Sequence, residues 1–143
     1  MPLPHQTAYR ALLIQNPRAD PFVVNVEAYS ERLHLWARAS GFVVEQYGRI
    51  GDIELPVLLR EAGADPAPSV YLSAGVHGDE PAGPMAVLEL LKRKLLPTSA
   101  GLTVFPLVNP EGLIRGTRGN AEGIDLNRDY GFANRAMETR AQL

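Results

Sequence analysis

The sequence contains no cysteine. Disulfides and thiolate metal sites are therefore excluded, and any bound metal must be held by nitrogen and oxygen ligands. The missing disulfide framework leans toward a reducing compartment. No apolar run approaches the ~20 residues needed to span a bilayer. Met1 to Arg10 lacks a basic start followed by an apolar stretch, so it does not read as a secretory signal. Together these absences point to a cytoplasmic chain with no membrane partner. An excess of one charge is missing as well. The net charge is −2 and the basic residues are scattered, which leaves no electrostatic footprint for nucleic acid. Histidine is scarce, occurring only at His5, His34 and His77. Oligomeric state leaves no mark on the sequence.

What is present fits one soluble domain. The 143 residues are 45% hydrophobic and 21% charged, enough to bury a core. Met1 to Pro21 is punctuated by proline and reads as an irregular lead-in. Asn25 is a good helix cap, and Val26, Tyr29, Leu33 and Trp36 then recur at helical spacing up to Gly41. Phe42 to Tyr47 reads as a strand and Gly48 to Asp52 as a turn. Ile53, Leu55, Val57 and Leu59 alternate as in a second strand, which Pro56 demotes to an edge or bulged position. Ala62 to Ser69 is a loop, and Val70 to Ala74 a short buried strand. Pro81 suits a first helical turn, with Leu88, Leu91 and Leu95 as the apolar stripe ending at Pro97. Leu102 to Val108 is a further strand, Asn109 to Gly123 is loop-rich, and Met137 to Leu143 is helical with no stop signal. This order predicts an α/β fold: a mixed β-sheet flanked by helices, with a hairpin on one side and a crossover connection beyond it.

Three stretches can carry chemistry. In His77-Gly78-Asp79-Glu80, an imidazole and a carboxylate three residues apart follow a strand end, where ligands gather in such sheets. Zinc takes both donor types at ~2.0–2.2 Å, and Gly78 permits the sharp bend that lets them converge. By spacing alone, the same residues also suit a polar turn capping a helix. In Gly123-Ile124-Asp125-Leu126-Asn127-Arg128, the guanidinium of Arg128 can grip a carboxylate bidentately beside Asn127. Equally, Asp125 and Arg128 can form an ordinary loop salt bridge. In Arg115-Gly116-Thr117-Arg118, two arginines can stabilise an oxyanion or simply be solvated. His34, beside Leu33 in the first helix, reads as a boundary histidine, and His5 falls in the lead-in.

With Asn109-Pro110-Glu111-Gly112 between the first and third of these, the motifs occur in one order over roughly residues 42 to 140. The set resembles the zinc metallocarboxypeptidase family, and looks closest to the bacterial branch that includes murein tripeptide amidases. The succinylglutamate desuccinylase and aspartoacylase group shares the His-x-x-Glu and the Asp-Leu-Asn-Arg. The resemblance implies a zinc carboxypeptidase-like fold and hydrolysis of an amide bond next to a free carboxylate of a peptide. It implies that His77 and Glu80 are zinc ligands and that Arg118 is catalytic, polarising the scissile carbonyl. Asn127 and Arg128 would hold the substrate carboxylate, with Arg115 assisting. The implied partner is a peptide, such as a peptidoglycan peptide, or an N-acyl amino acid.

The sequence departs from the family pattern downstream. The family has a third zinc ligand, a histidine, and a glutamate general base farther along; neither can be matched. Glu138 follows Arg128 too closely to take the base role. The expectation is therefore that residues 1–143 form the N-terminal portion of a single catalytic domain, impaired as an isolated chain. Two other readings stay open. One is an N-acyl amino acid deacylase of the desuccinylase/aspartoacylase type. The other is a non-catalytic binding module that uses the same arginines to hold an acidic ligand.

Overall fold

The computed structural model describes residues 24–63, 67–130 and 136–140. The lead-in from Met1 to Pro21, His5 within it, and the last three residues of the predicted terminal helix lie outside these. Helix α1 spans Val26–Ala39. Its start is set by Asn25, whose side chain accepts from the Ala28 N–H at 2.9 Å. Tyr29, Leu33 and Ala37, each one turn apart, are its fully buried stripe, with Val26 and Trp36 at the margins. Gly41, at φ +79°, reverses the chain after the helix.

Strands β1 (Val43–Ile50) and β2 (Ile53–Arg60) form an antiparallel hairpin. Strand β3 (Ser69–Ser73) leads through helix α2 (Ala82–Lys92) to β4 (Gly101–Phe105). The sheet order is β1-β2-β4-β3; β4 pairs antiparallel with β2 and parallel with β3. This is the predicted mixed sheet, with its hairpin and crossover. Because strand side chains alternate, each face has its own core. Leu58, Leu102 and Val104 pack with Tyr29, Leu33, Leu88 and Leu91 under the two helices. Val57 and Phe105 face the other way and pack with Val108, Leu126 and Ala136, beneath the segment that carries Asp125.

Several sequence expectations are corrected. The first strand runs to Ile50, so the hairpin turn narrows to Gly51 and Asp52, with Gly51 at φ +56°. β2 is an interior strand in spite of Pro56. β4 pairs only with Leu58 to Arg60, so the proline lies beyond that ladder and deprives it of no donor. The bulged alternative holds: the register shifts between Gln46, which pairs with Pro56, and Gly48, which pairs with Leu55. β3, expected to be buried, stands at the edge of the sheet among the described residues, where it pairs with β4, and Tyr71 is 54% exposed. Leu95 leaves the predicted stripe, because α2 ends at Lys92 and Lys94 takes a left-handed φ of 54°. The strand from Leu102 stops at Phe105, although Leu107 and Val108 remain buried. Finally, the loop-rich stretch after Asn109 contains a helix, α3 (Pro110–Arg115). Its signals were in the sequence: an asparagine cap, proline in the first turn and Gly116 in the left-handed conformation at its end. A short helix Leu126–Arg128 and α4 (Met137–Arg140) complete the described elements.

Candidate active site

β3 and β4 are parallel neighbours, so the segments after them leave the same end of the sheet. The segment after β3 stays tied to the one after β4. The Val108 N–H donates to the Ala74 carbonyl at 3.0 Å, and the Asn109 N–H to that of Gly75 at 2.8 Å. Gly75 sits at φ +70°, where a Cβ would press on Pro84 and Leu107. This bend delivers Val76 and His77 to the sheet end, and the Glu80 N–H closes the turn on the His77 carbonyl at 3.3 Å.

Four of the chemistry-bearing side chains converge there. The His77 ring, 11% exposed, places Nε2 3.0 Å from Asp125 Oδ1 and Nδ1 3.6 Å from Glu80 Oε1. Arg118 places Nε 3.1 Å from Asp125 Oδ2, and its Nη1 lies 3.6 Å from Glu80 Oε1. Asp125 also accepts the Asn127 N–H at 3.0 Å and so caps the short helix that follows. Hydrogen bonding from His77 is the largest influence on the Asp125 carboxyl; desolvation opposes it, and bonds from Arg118 and the Asn127 N–H with the guanidinium charge leave the group below its ordinary value. An ionised Asp125 can only accept, so the Nε2 of His77 is the N–H donor. In the neutral ring, Nδ1 then presents a lone pair toward the Glu80 carboxylate. The two face each other across 3.6 Å, a gap that an ion coordinated by both would span.

The donor set suits zinc in kind. Two atoms each ~2.0–2.2 Å from a tetrahedral ion lie about 3.4 Å apart, close to the observed 3.6 Å. Among the described residues no group of three or more candidate ligands occurs, and His77 and Glu80 are the pair that faces one point. Asp125 is committed to the far nitrogen of the ring, in the position of a residue that orients a ligand rather than binds the ion itself.

The other sequence candidates are distributed differently. The alternative ion pair between Asp125 and Arg128 does not form, since Asp125 is taken by His77 and Arg118. Arg128 is exposed and donates to the neighbouring Asn127 carbonyl at 3.3 Å. Asn127 lies beside it on the short helix, and Arg115 is exposed on the last turn of α3. Of these arginines, Arg118 is the one that reaches the bend. His34 bonds to the Ser30 carbonyl at 2.8 Å, away from the cluster. Glu138 is 3% exposed and takes a hydrogen bond from Asn120 at 3.4 Å.

Two residues here have roles the sequence reading did not assign. Asp125 was weighed only as a partner for Arg128. Asn120 organises the loop that precedes it, accepting the N–H groups of Glu122 and Ile124 at 3.0 Å each. The clue for Asn120 was an asparagine followed by glycine three residues on, a turn pattern. Nothing short of the fold could pair Asp125 with a histidine 48 positions away.

Comparison with known proteins places these residues in context. Residues 66–142 match the succinylglutamate desuccinylase/aspartoacylase catalytic domain. Murein peptide amidase A of Escherichia coli K12 is 38% identical over 90 residues, covering 63% of this chain and 36% of that protein. A crystal structure of a candidate metallopeptidase from Shewanella baltica OS155 superposes with a TM-score of 0.72 at 28% identity, covering 86% of this chain and 51% of that one. A metallo-carboxypeptidase from Burkholderia cenocepacia shares the fold, with a TM-score of 0.69 at 24% identity, over 81% of this chain and 36% of its own. The chain thus spans about a third to a half of the length of the proteins it matches.

Proposed function

Because the chain belongs to the succinylglutamate desuccinylase/aspartoacylase catalytic domain family, we propose that it carries the metal-binding part of a zinc-dependent hydrolase, one that cleaves an amide bond next to a free carboxylate. The observation that carries this reading is the His77 ring, fixed by Asp125 on one nitrogen and aimed at Glu80 with the other. His77, through Nδ1, and Glu80 would hold the ion. When bound, zinc supplies Lewis-acid chemistry and acidifies water to a pKa of ~7.

The protein's own groups do the rest. Asp125 keeps the His77 ring in one tautomer and one orientation. Arg118 commits Nε to Asp125 and turns Nη1 toward Glu80, which leaves Nη2 for a carbonyl oxygen as it gains negative charge. Asn127 and Arg128, exposed just beyond the Asp125 cap, would receive the substrate carboxylate, with Arg115 assisting. A third ligand and a carboxylate base are needed for efficient turnover, so residues 1–143 alone are expected to bind zinc weakly and turn over poorly.

The likeness to murein peptide amidase A supports a peptide substrate. The family match itself supports the second reading, an N-acyl amino acid deacylase. Both use the same metal and arginine groups. The test is zinc titration of the chain and of His77→Ala and Glu80→Gln, with a panel of peptides and N-acyl amino acids as substrates. Loss of zinc in both variants is expected; zinc binding unchanged by either would sink the metal assignment. Arg118→Met should retain zinc while losing ~10²–10³ in any measured turnover.

A further inference from the structure

We propose that Asn109 is a positioning residue that holds the His77 turn and the Arg118 segment in one fixed arrangement, a role that rests on the metal-site reading above. Asn109 is 0% exposed and each of its polar groups is used. Its N–H donates to Gly75 and its carbonyl accepts the Leu113 N–H at 3.1 Å. Its side-chain oxygen accepts the Gly112 N–H at 2.8 Å, which caps α3. Its Nδ2 donates to the Val76 carbonyl at 3.2 Å and to the Arg118 carbonyl at 3.4 Å. The amide orientation is fixed by this pattern, because a flipped group would set its NH₂ against the Gly112 N–H.

Capping alone does not require asparagine. Aspartate, serine or threonine presents the same acceptor to α3. The NH₂ group is what distinguishes asparagine, and it is spent on two carbonyls from separate segments. One belongs to the peptide bond that leads into His77, the other to Arg118 itself. Those two side chains meet at Asp125, so the hub lies beneath the cluster and joins its two backbone supports.

Steric contact reinforces the link. A Cβ on Gly112 would overlap the Asn109 amide, and a Cβ on Gly78 would overlap the Gly112 carbonyl. The His77–Glu80 turn therefore rests directly on the first turn of α3, with backbone against backbone. Any shift of that turn moves the ligand-bearing bend. Residues Asn109 to Gly112 act as a template for the site without touching the metal or the substrate.

The decisive variant is Asn109→Asp, which keeps the cap acceptor and removes both donors. The 143-residue chain is compared with this variant and with Tyr29→Phe, a stability control remote from the site. Readouts are zinc affinity by chelator competition and the His77 ring signals in long-range ¹H–¹⁵N spectra. The expected result is zinc binding ~10–100-fold weaker and a His77 ring no longer locked in one tautomer, with neither change in Tyr29→Phe. Wild-type affinity and an unmoved His77 spectrum in Asn109→Asp would overturn the proposal. Should that variant not fold, Asn109→Ser carries the same comparison. Hydrogen exchange in the unmodified chain is independent of both: the Asn109 NH₂ should show two resolved, slowly exchanging protons, and rapid exchange refutes the role. If the unmodified chain takes up no zinc, the metal reading fails, and the ring and NH₂ signals still decide the case for Asn109.

Discussion

Replacing Gly78 with alanine tests the architecture of the site directly. The added methyl would fall on the Gly112 carbonyl carbon, its oxygen and the Leu113 nitrogen. All three belong to the backbone of α3, so no side-chain rotation relieves the overlap. Gly78 does not have a positive φ, so the penalty is steric rather than conformational. Overpacking a well-packed site costs ~1–3 kcal/mol, and a backbone obstacle puts this substitution near about 3 kcal/mol. For a chain of this size that corresponds to a fall in Tm of roughly 10 °C. Gly51→Ala and Gly116→Ala are the controls. Both glycines have left-handed φ values, +56° and +64°, with nothing within 4 Å of an added Cβ. Their cost is the backbone preference alone, ~1–2 kcal/mol. Thermal unfolding of the three variants side by side, with a zinc titration of each, separates the two effects. Gly78→Ala should melt lowest and lose zinc binding, while the controls melt higher and keep it. A Gly78→Ala protein with wild-type Tm and wild-type zinc affinity would show that the turn does not rest on α3, and the geometry derived for His77 would fall with it.

Three further outcomes follow from individual contacts. Asp125→Asn keeps one oxygen for both the Asn127 N–H and His77 Nε2, but sets an NH₂ against Arg118 Nε and removes the negative charge beside the ring, which should weaken zinc ~10–100-fold; unchanged affinity would remove Asp125 from the site. Tyr29→Phe removes a fully buried hydroxyl that lies 3.1 Å from both the Pro84 and Pro106 carbonyls and that burial keeps firmly protonated. Losing this buried hydrogen bond should cost ~0.5–1.5 kcal/mol by denaturant unfolding, with zinc affinity unaffected. Arg49→Ala breaks a 3.0 Å ion pair with Glu54, but both side chains are more than half exposed, so stability should change by no more than ~1 kcal/mol. A larger loss would mean that the hairpin depends on this pair.

Much of this was legible in the linear chain because its signals are local. Asn25 caps α1 through a side chain only three residues from the N–H it accepts. The apolar spacing of Tyr29 and Leu33 marks the buried helical stripe, and the alternation of Ile53, Leu55, Val57 and Leu59 marks the second strand. Local pattern misled where the outcome depends on neighbours. The apolar Val70 to Leu72 run looks interior, yet among the described residues β3 has a partner on one side only. Pro56 looks like an edge signal, yet it is accommodated in an interior strand beyond the reach of the β4 ladder. The α3 helix was signalled by its cap, proline and terminal glycine, and was obscured by the glycine-rich surroundings.

The candidate site divides in the same way. By itself, the amino-acid order determined which groups could do chemistry: one imidazole three residues from a carboxylate, two arginines by a glycine, and an Asp-Leu-Asn-Arg run. It also determined, through the absence of cysteine, that any ligand must be nitrogen or oxygen. Only the tertiary structure decided which of these meet. The parallel pairing of β3 with β4 brings His77 to Asp125 across 48 positions, and draws Arg118 onto Asp125 while Arg128 stays outside. Hydrogen-bond partnership is a property of distance in space, and distance across a sheet is set by register and crossover rather than by separation along the chain.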